Sequence, residues 1–173
     1  MRALLIVCTR TRMYVRSWYA GFQAWWIRSP TAIAALKQPN DICESIVNTG
    51  LSLSLFVGDM AHAKRLAGND SKVMLDRLLG PGGNFSNDPA ATGVDSFGYT
   101  MSDFVDFLLT ARMSTLTGEV DLYNYVTPQG SSLHDGIEWL APYCAKNATN
   151  WPRGGDNGRA SIPVMQAISY GDS

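Results

Sequence analysis

The chain has 173 residues, 46% of them hydrophobic and 17% charged, with a net charge of −1. That length suits one domain with a real core and is too short for two comfortable ones. The near-neutral balance gives no sign of a nucleic-acid partner, and the composition is that of an ordinary globular protein.

The charge is unevenly placed. Arg2, Arg10, Arg12, Arg16 and Arg28 fall in the first thirty residues with no acidic residue among them. Such a cluster suits a basic cleft edge or a membrane-surface arm, with a solvated helix face as the plainer reading. Cys8, Cys43 and Cys144 lack metal-site spacing and allow at most one disulfide. Asn69, Asn84 and Asn147 each open a formal glycosylation tripeptide, a pattern that favours a secreted protein.

In chain order, Ala3 to Cys8 is a short apolar run, too short for a signal peptide and without a small-residue cleavage site after it. No stretch approaches the roughly 20 apolar residues of a membrane span. The start reads as that of a chain beginning inside a larger protein.

The first helix is predicted over Arg12 to Arg28, where Trp18, Phe22, Trp25 and Trp26 fall on one apolar stripe read as core. Ser29-Pro30 ends it, because the residue before proline avoids the helical region. A second helix is predicted from Cys43 to Val57. Its LSLSLFV segment also alternates as a strand would, but helix is preferred because Gly58 stops it sharply. Asp59 caps a further helix through MAHAKRLAGN and SKVMLDRLLG, with a break or kink expected at Gly68-Asn69-Asp70. Pro81 to Ser96 is a long loop rich in Gly, Pro, Asn and Asp.

Tyr99 to Thr117 follows as an amphipathic helix with Phe104, Leu108, Ala111 and Leu116 near one side, stopped by Gly118. A last long helix, Ser132 to Ala145, groups Leu133, Ile137, Leu140 and Ala141, with Pro142 awkward inside it. Ile162 to Ile168 is a short helical candidate in the tail. His62 and His134 both read as structural or surface residues, and Asp121-Leu-Tyr-Asn-Tyr as loop packing. No P-loop, HExxH, Gly-x-Ser-x-Gly or dinucleotide-binding glycine motif occurs, so the matching enzyme classes lose support.

This succession of helices fits a bundle or an α/α toroid. The helices are too few to close a toroid, so the expected fold class is all-α, an incomplete α/α toroid forming an arc of antiparallel helix pairs.

Several ordered landmarks run from Trp18 to Trp151: WWIRSP, QPND at Gln38 to Asp41, LSLFVGDMAHA, DSFGYTMSDFVDFLL, EVDLYNYVTPQGSSLHDGIEWLAPY and NWP. In this order they resemble the alginate-lyase-like family of polysaccharide lyases. Residues 1–173 are then one fragment of such a domain, with 1–11 and 152–173 expected to be poorly ordered. The resemblance implies β-elimination on a uronic-acid polysaccharide. A base takes the proton beside the sugar carboxylate while donors neutralise that carboxylate. The implied partner is an acidic polysaccharide or oligosaccharide, with no nucleic acid or membrane. No metal and no cofactor enters the scheme, and the implied location is extracellular or periplasmic.

Carried over residue by residue, the family's Asn-Asn-His (or Asn-Asn-Ile in some relatives) resembles Asn40-Asp41-Ile42, which makes Asn40 and Asp41 the candidate substrate-binding residues. Asp41 replaces a carboxylate-binding amide, and Ile42 cannot transfer a proton. The family's Arg-Thr-Arg-x-x-His-Tyr segment resembles Gly93 to Tyr99. Tyr99 matches the catalytic tyrosine, but both arginines are missing and Gly98 stands at the histidine position. Two readings follow: a lyase using Tyr99 and Asn40, or a non-catalytic saccharide-binding or truncated relative.

Overall fold

The computed structural model describes residues 16–26, 28–35, 37, 40–87, 96–145 and 151–152. They form helices α1 (16–26), α2 (Pro30–Ala35), α3 (Asp41–Val57), α4 (Met60–Arg65), α5 (Ser71–Leu78), α6 (Ser96–Thr115) and α7 (Leu133–Ala145). Among the described residues there is no strand. None of their helices is long and apolar enough to cross a membrane. The candidate helix at 162–168 and nearly all of 1–11 and 152–173 lie outside the described residues.

Local chemistry sets the helix ends. The Asn40 side chain accepts the Cys43 N–H at 3.1 Å and so caps α3. At the other end Gly58, at φ 84°, donates to the Ser54 and Leu55 carbonyls. Helical spacing buries Val47, Leu51 and Ser54 together, a face that strand alternation would have split. Asp59 caps α4 through the His62 N–H at 3.1 Å. The expected break at Gly68-Asn69-Asp70 is a single π-helical turn, Leu66–Asp70, which absorbs the strain and lets α4 and α5 run on as one rod. The Ser71 hydroxyl donates back to the Leu66 carbonyl at 2.9 Å within it.

Contacts between side chains fix the topology. Cys43 Sγ lies 3.2 Å from Met74 Sδ, and a Cβ at Gly50 would stand 3.2 Å from Leu66, so the α4–α5 rod runs antiparallel to α3. Ser45, Asn48 and Ser52 meet Asp106, Thr110 and Met113 in the same order, so α6 runs parallel to α3. Phe104 faces Gly136 and Met101 faces Cys144, which makes α7 antiparallel to α6. Two helical hairpins therefore stand side by side with their first helices parallel. This is an all-α arc of antiparallel pairs, an incomplete α/α toroid.

The main core joins both hairpins through Leu75, Leu78, Phe85, Phe97, Phe104, Phe107, Leu122 and Leu133. Each such side chain, fully buried, contributes roughly 1.5–3 kcal/mol. A smaller cluster of Val47, Leu51, Ala63, Leu66 and Ala67 seals α3 against the rod. The loop after α5 is pinned by glycines. Gly83 sits at φ 82° with its Cα so close to α7 that a Cβ would lie 2.4 Å from the Gly136 nitrogen.

Three apolar expectations are corrected. Trp18 and Trp25 are 70% and 61% exposed, because Tyr19 and Gln23 form the face of α1 that meets α3. Leu116 is exposed because α6 ends at Thr115, one residue before it. Ala141 also faces solvent, as does Pro142, so the ring interrupts α7 where water can satisfy the freed carbonyl. Cys43 and Cys144 are both free and buried, so they do not form the disulfide that the cysteine count permits.

Candidate functional site

Parallel packing of α3 and α6 puts both of their N-terminal ends on one side of the arc. Asn40 caps the first, and Tyr99 is the fourth residue of the second. The contacts between the helices pair each α3 residue with the α6 residue sixty-one or sixty-two positions later. Asn40 is thus level with Met101 and Ser102, within one turn of Tyr99. Tyr99 also precedes Asp106 by two turns, on the stripe of α6 that faces α3. Tyr99 is 40% exposed, so part of its side chain reaches solvent.

Asn40 is half-buried, and its carbonyl oxygen is held by the cap. Its amide NH₂ makes no hydrogen bond among the described residues and is left to donate outward. Asp41 opens α3, and its side chain lies outside the described part of the structure. Ile42 is 56% exposed beside them, an apolar side chain where an acid–base group would stand. Gly98 is half-buried and adds no functional group next to Tyr99.

The start of α6 is anchored by residues of the later landmarks, to which no site role was given. Trp151 Nε1 donates to Ser96 Oγ at 2.8 Å, and its ring meets Phe97 edge-on with centroids 5.0 Å apart. Trp139 and Tyr143 of α7 pack on the same indole. The NWP landmark therefore clamps the turn that carries Tyr99. Its signal in the sequence was an aromatic before proline, which cannot by itself name a partner fifty-five residues away.

Beneath this end lies a polar seam. Ser45 Oγ donates to an Asp106 carboxylate oxygen, and Asn48 donates to the Asp106 carbonyl at 3.1 Å and to Thr110 Oγ1 at 3.2 Å. Glu44 and Asp103 are both fully buried. Burial raises the Glu44 carboxyl well above the ordinary range, the Thr110 hydroxyl beside it works the other way, and the nearby Asp106 charge adds a smaller upward push. Neither Glu44 oxygen makes a well-formed hydrogen bond among the described residues. Burial therefore favours the protonated, uncharged form of Glu44. Burial also pushes the Cys43 thiol up to about 12, with Glu44 contributing, so it is no nucleophile.

Among the described residues Arg77 brings a cation to this end. Met74 is level with Cys43, so Arg77, three residues further along an antiparallel rod, is level with Asn40. Arg77 is exposed, and it lies close enough to lower the Cys43 thiol against the other influences. Sequence comparison missed it because the family's arginines belong to the loop before Tyr99, and only the α3–α5 register reveals this one.

The remaining candidates are structural. Tyr125 donates to Asp76 at 3.0 Å, Lys72 lies 4.4 Å over its ring, and Leu122 is buried, so the Asp121–Tyr125 segment packs as a loop against α5. His134, Asp135 and Glu138 bring ligand-type atoms within 4.8 Å of one another. The one-turn spacing of His134 and Glu138 was legible in the sequence and was passed over. Asp135 is already engaged by the Ser132 N–H and hydroxyl, both at 2.7 Å, and these bonds hold its carboxyl below the usual range. The group is a capping box followed by a 4.0 Å His134–Glu138 contact, at a helix end whose dipole disfavours a cation.

No family model and no curated protein sequence matches the chain. Among solved structures it is similar to an alginate lyase from Bacteroides ovatus, at 18% identity and a TM-score of 0.79. The match covers 94% of this chain and 43% of that one, so the chain spans less than half the length of that enzyme. At this identity the likeness is one of fold: this all-helical arc is built as part of an alginate lyase is built.

Proposed function

We propose that the chain is a polysaccharide lyase-type protein acting on an alginate-like, uronic-acid polysaccharide by β-elimination. What supports this reading is that Asn40 and Tyr99 stand at the same end of two parallel helices, in a fold shared with an alginate lyase. In this scheme the Asn40 amide donates to the sugar carboxylate, and Arg77 supplies the positive charge that the loop before Tyr99 lacks. Stabilising that carboxylate makes the adjacent C5 proton removable. Tyr99 transfers the proton through its hydroxyl as the C4–O bond breaks and an unsaturated sugar is left. Asp41 lies beside the substrate at the start of α3. An acidic polysaccharide substrate places the protein in an extracellular or periplasmic setting.

A second reading, a saccharide-binding relative without catalysis, is favoured by Ile42. It presents an exposed apolar side chain where part of the family carries an acid–base histidine. The two readings separate when the protein is incubated with a panel of polyuronates and the products are analysed by mass. Unsaturated oligosaccharides support the lyase. Intact polymer from a folded, concentrated sample that still binds it supports the second reading.

A further inference from the structure

Trp151 reaches the start of α6 from the chain that follows α7, with a directional bond as well as with its ring. Its indole N–H donates to Ser96 Oγ at 2.8 Å, and both residues are buried. An indole nitrogen donates and never accepts, so inside a core it is spent on one chosen oxygen. Here that oxygen belongs to the first residue of α6, one turn before Tyr99. The ring itself is boxed edge-on by Phe97 at 5.0 Å, Trp139 at 5.3 Å and Tyr143 at 5.2 Å. Cys144 of α7 adds a contact to Met101 at 3.9 Å, on the same side of α6.

The bonds from α3 act further along the helix. Ser45 and Asn48 meet α6 at Asp106 and Thr110, about two and three turns beyond Tyr99. The α3 seam therefore sets where α6 runs, and the Trp151 bond sets how its first turn is rotated. Tyr99 is sensitive to that rotation. Its phenol oxygen lies farther from the helix axis than the backbone does, so a small turn of the backbone swings it through a larger arc. Its side chain is also partly exposed, so core packing holds it on only one side.

We propose that Trp151 is a positioning residue for Tyr99. Through Ser96 it fixes the rotation of the first turn of α6, and so aims the phenol that transfers the proton. Being buried, Trp151 acts through Tyr99 and not on the substrate. A reacting group misplaced by about 1 Å loses on the order of 10²-fold in rate, so the loss of one bond in this anchor registers in kcat. The inference rests on the lyase reading given above.

The test is steady-state elimination by the full chain on a polyuronate, followed by the absorbance of the new double bond, for the unmutated protein and its variants. Trp151→Phe keeps a ring in the cluster and deletes the N–H, and Ser96→Ala deletes the acceptor. Each should lower kcat by about tenfold and leave KM within about twofold. The double variant should be no slower than either single one, because both changes remove the same bond. Trp139→Phe thins the same aromatic cluster with the Trp151–Ser96 bond in place, so it should lower the melting temperature yet keep kcat. Should Trp151→Phe fail to fold, Ser96→Ala, a loss of one oxygen atom, decides by itself. An unchanged kcat in Ser96→Ala, losses that add in the double variant, or an equal loss in Trp139→Phe overturns the positioning role and leaves the lyase reading standing. An unmutated chain that releases no unsaturated product from any polyuronate overturns both.

Discussion

Asn48 of α3 donates to the backbone carbonyl of Asp106 on α6 at 3.1 Å, and its second amide hydrogen reaches Thr110 at 3.2 Å. One side chain thereby ties together the two parallel helices whose first turns carry Asn40 and Tyr99. Asn48→Ala removes both bonds from a half-buried position. A loss of about 1–3 kcal/mol is expected, read as a lower urea midpoint with an unchanged slope. An unchanged midpoint would mean that the seam does not hold the pair.

Glu44 gives the fold a pH dependence of defined sign. Its folded carboxyl titrates well above its unfolded value, so the folded chain holds an extra proton from about pH 4.5 upward. That contribution is fully present below the unfolded value and is lost as pH rises through the folded one. Thermal stability should therefore fall as pH climbs above the ordinary carboxylate range. Glu44→Gln keeps the shape, removes the titration and flattens that part of the curve. The check is a melting series over pH for both proteins, and parallel curves would contradict the assignment.

Gly136 is a steric prediction. A Cβ there would stand 2.5 Å from the Phe104 ring and 2.8 Å from the Gly83 carbonyl. Neither neighbour can retreat easily, because Phe104 is fully buried and Gly83 already abuts the α7 backbone. Gly136→Ala should cost about 1–3 kcal/mol or more in a denaturant melt. Gly21→Ala, where nothing stands within 4 Å of the added carbon, should cost nothing measurable and serves as its comparison.

At the start of α7, the Ser132 hydroxyl accepts from the Asp135 N–H at 3.2 Å while Ser132 donates to the Asp135 carboxylate. Ser132→Ala should cost about 1 kcal/mol. The loss should shrink in acid, because the Asp135 carboxyl is held low by these bonds and their contribution disappears as pH falls through its folded value. Chemical denaturation at neutral and acidic pH measures both.

The helices were legible because caps and periodicity are local: Asn40, Asp59 and Gly58 each act within four residues of themselves. Other features depended on distant partners. The exposure of Trp25 was unreadable because its stripe also contains Trp26, and only the position of α3 decides which ring is covered. The π turn at Leu66–Asp70 lies against α3 and α6, partners that the Gly68 segment does not name by itself. At the candidate site, Asn40 and Tyr99 followed from motif resemblance. Arg77 and Trp151 required the register of one helix against another, which no linear spacing encodes.

The central claim is that Tyr99 transfers a proton in β-elimination. The direct measurement is the ultraviolet absorbance of the new C4–C5 double bond, followed with polyuronate for the unmutated chain and for Tyr99→Phe. The account predicts a measurable rise for the former and a loss of about 10²-fold or more for the latter, at unchanged melting temperature. A rate that is equal in the two proteins, or no rise at all from the unmutated chain on any polyuronate it binds, would contradict it.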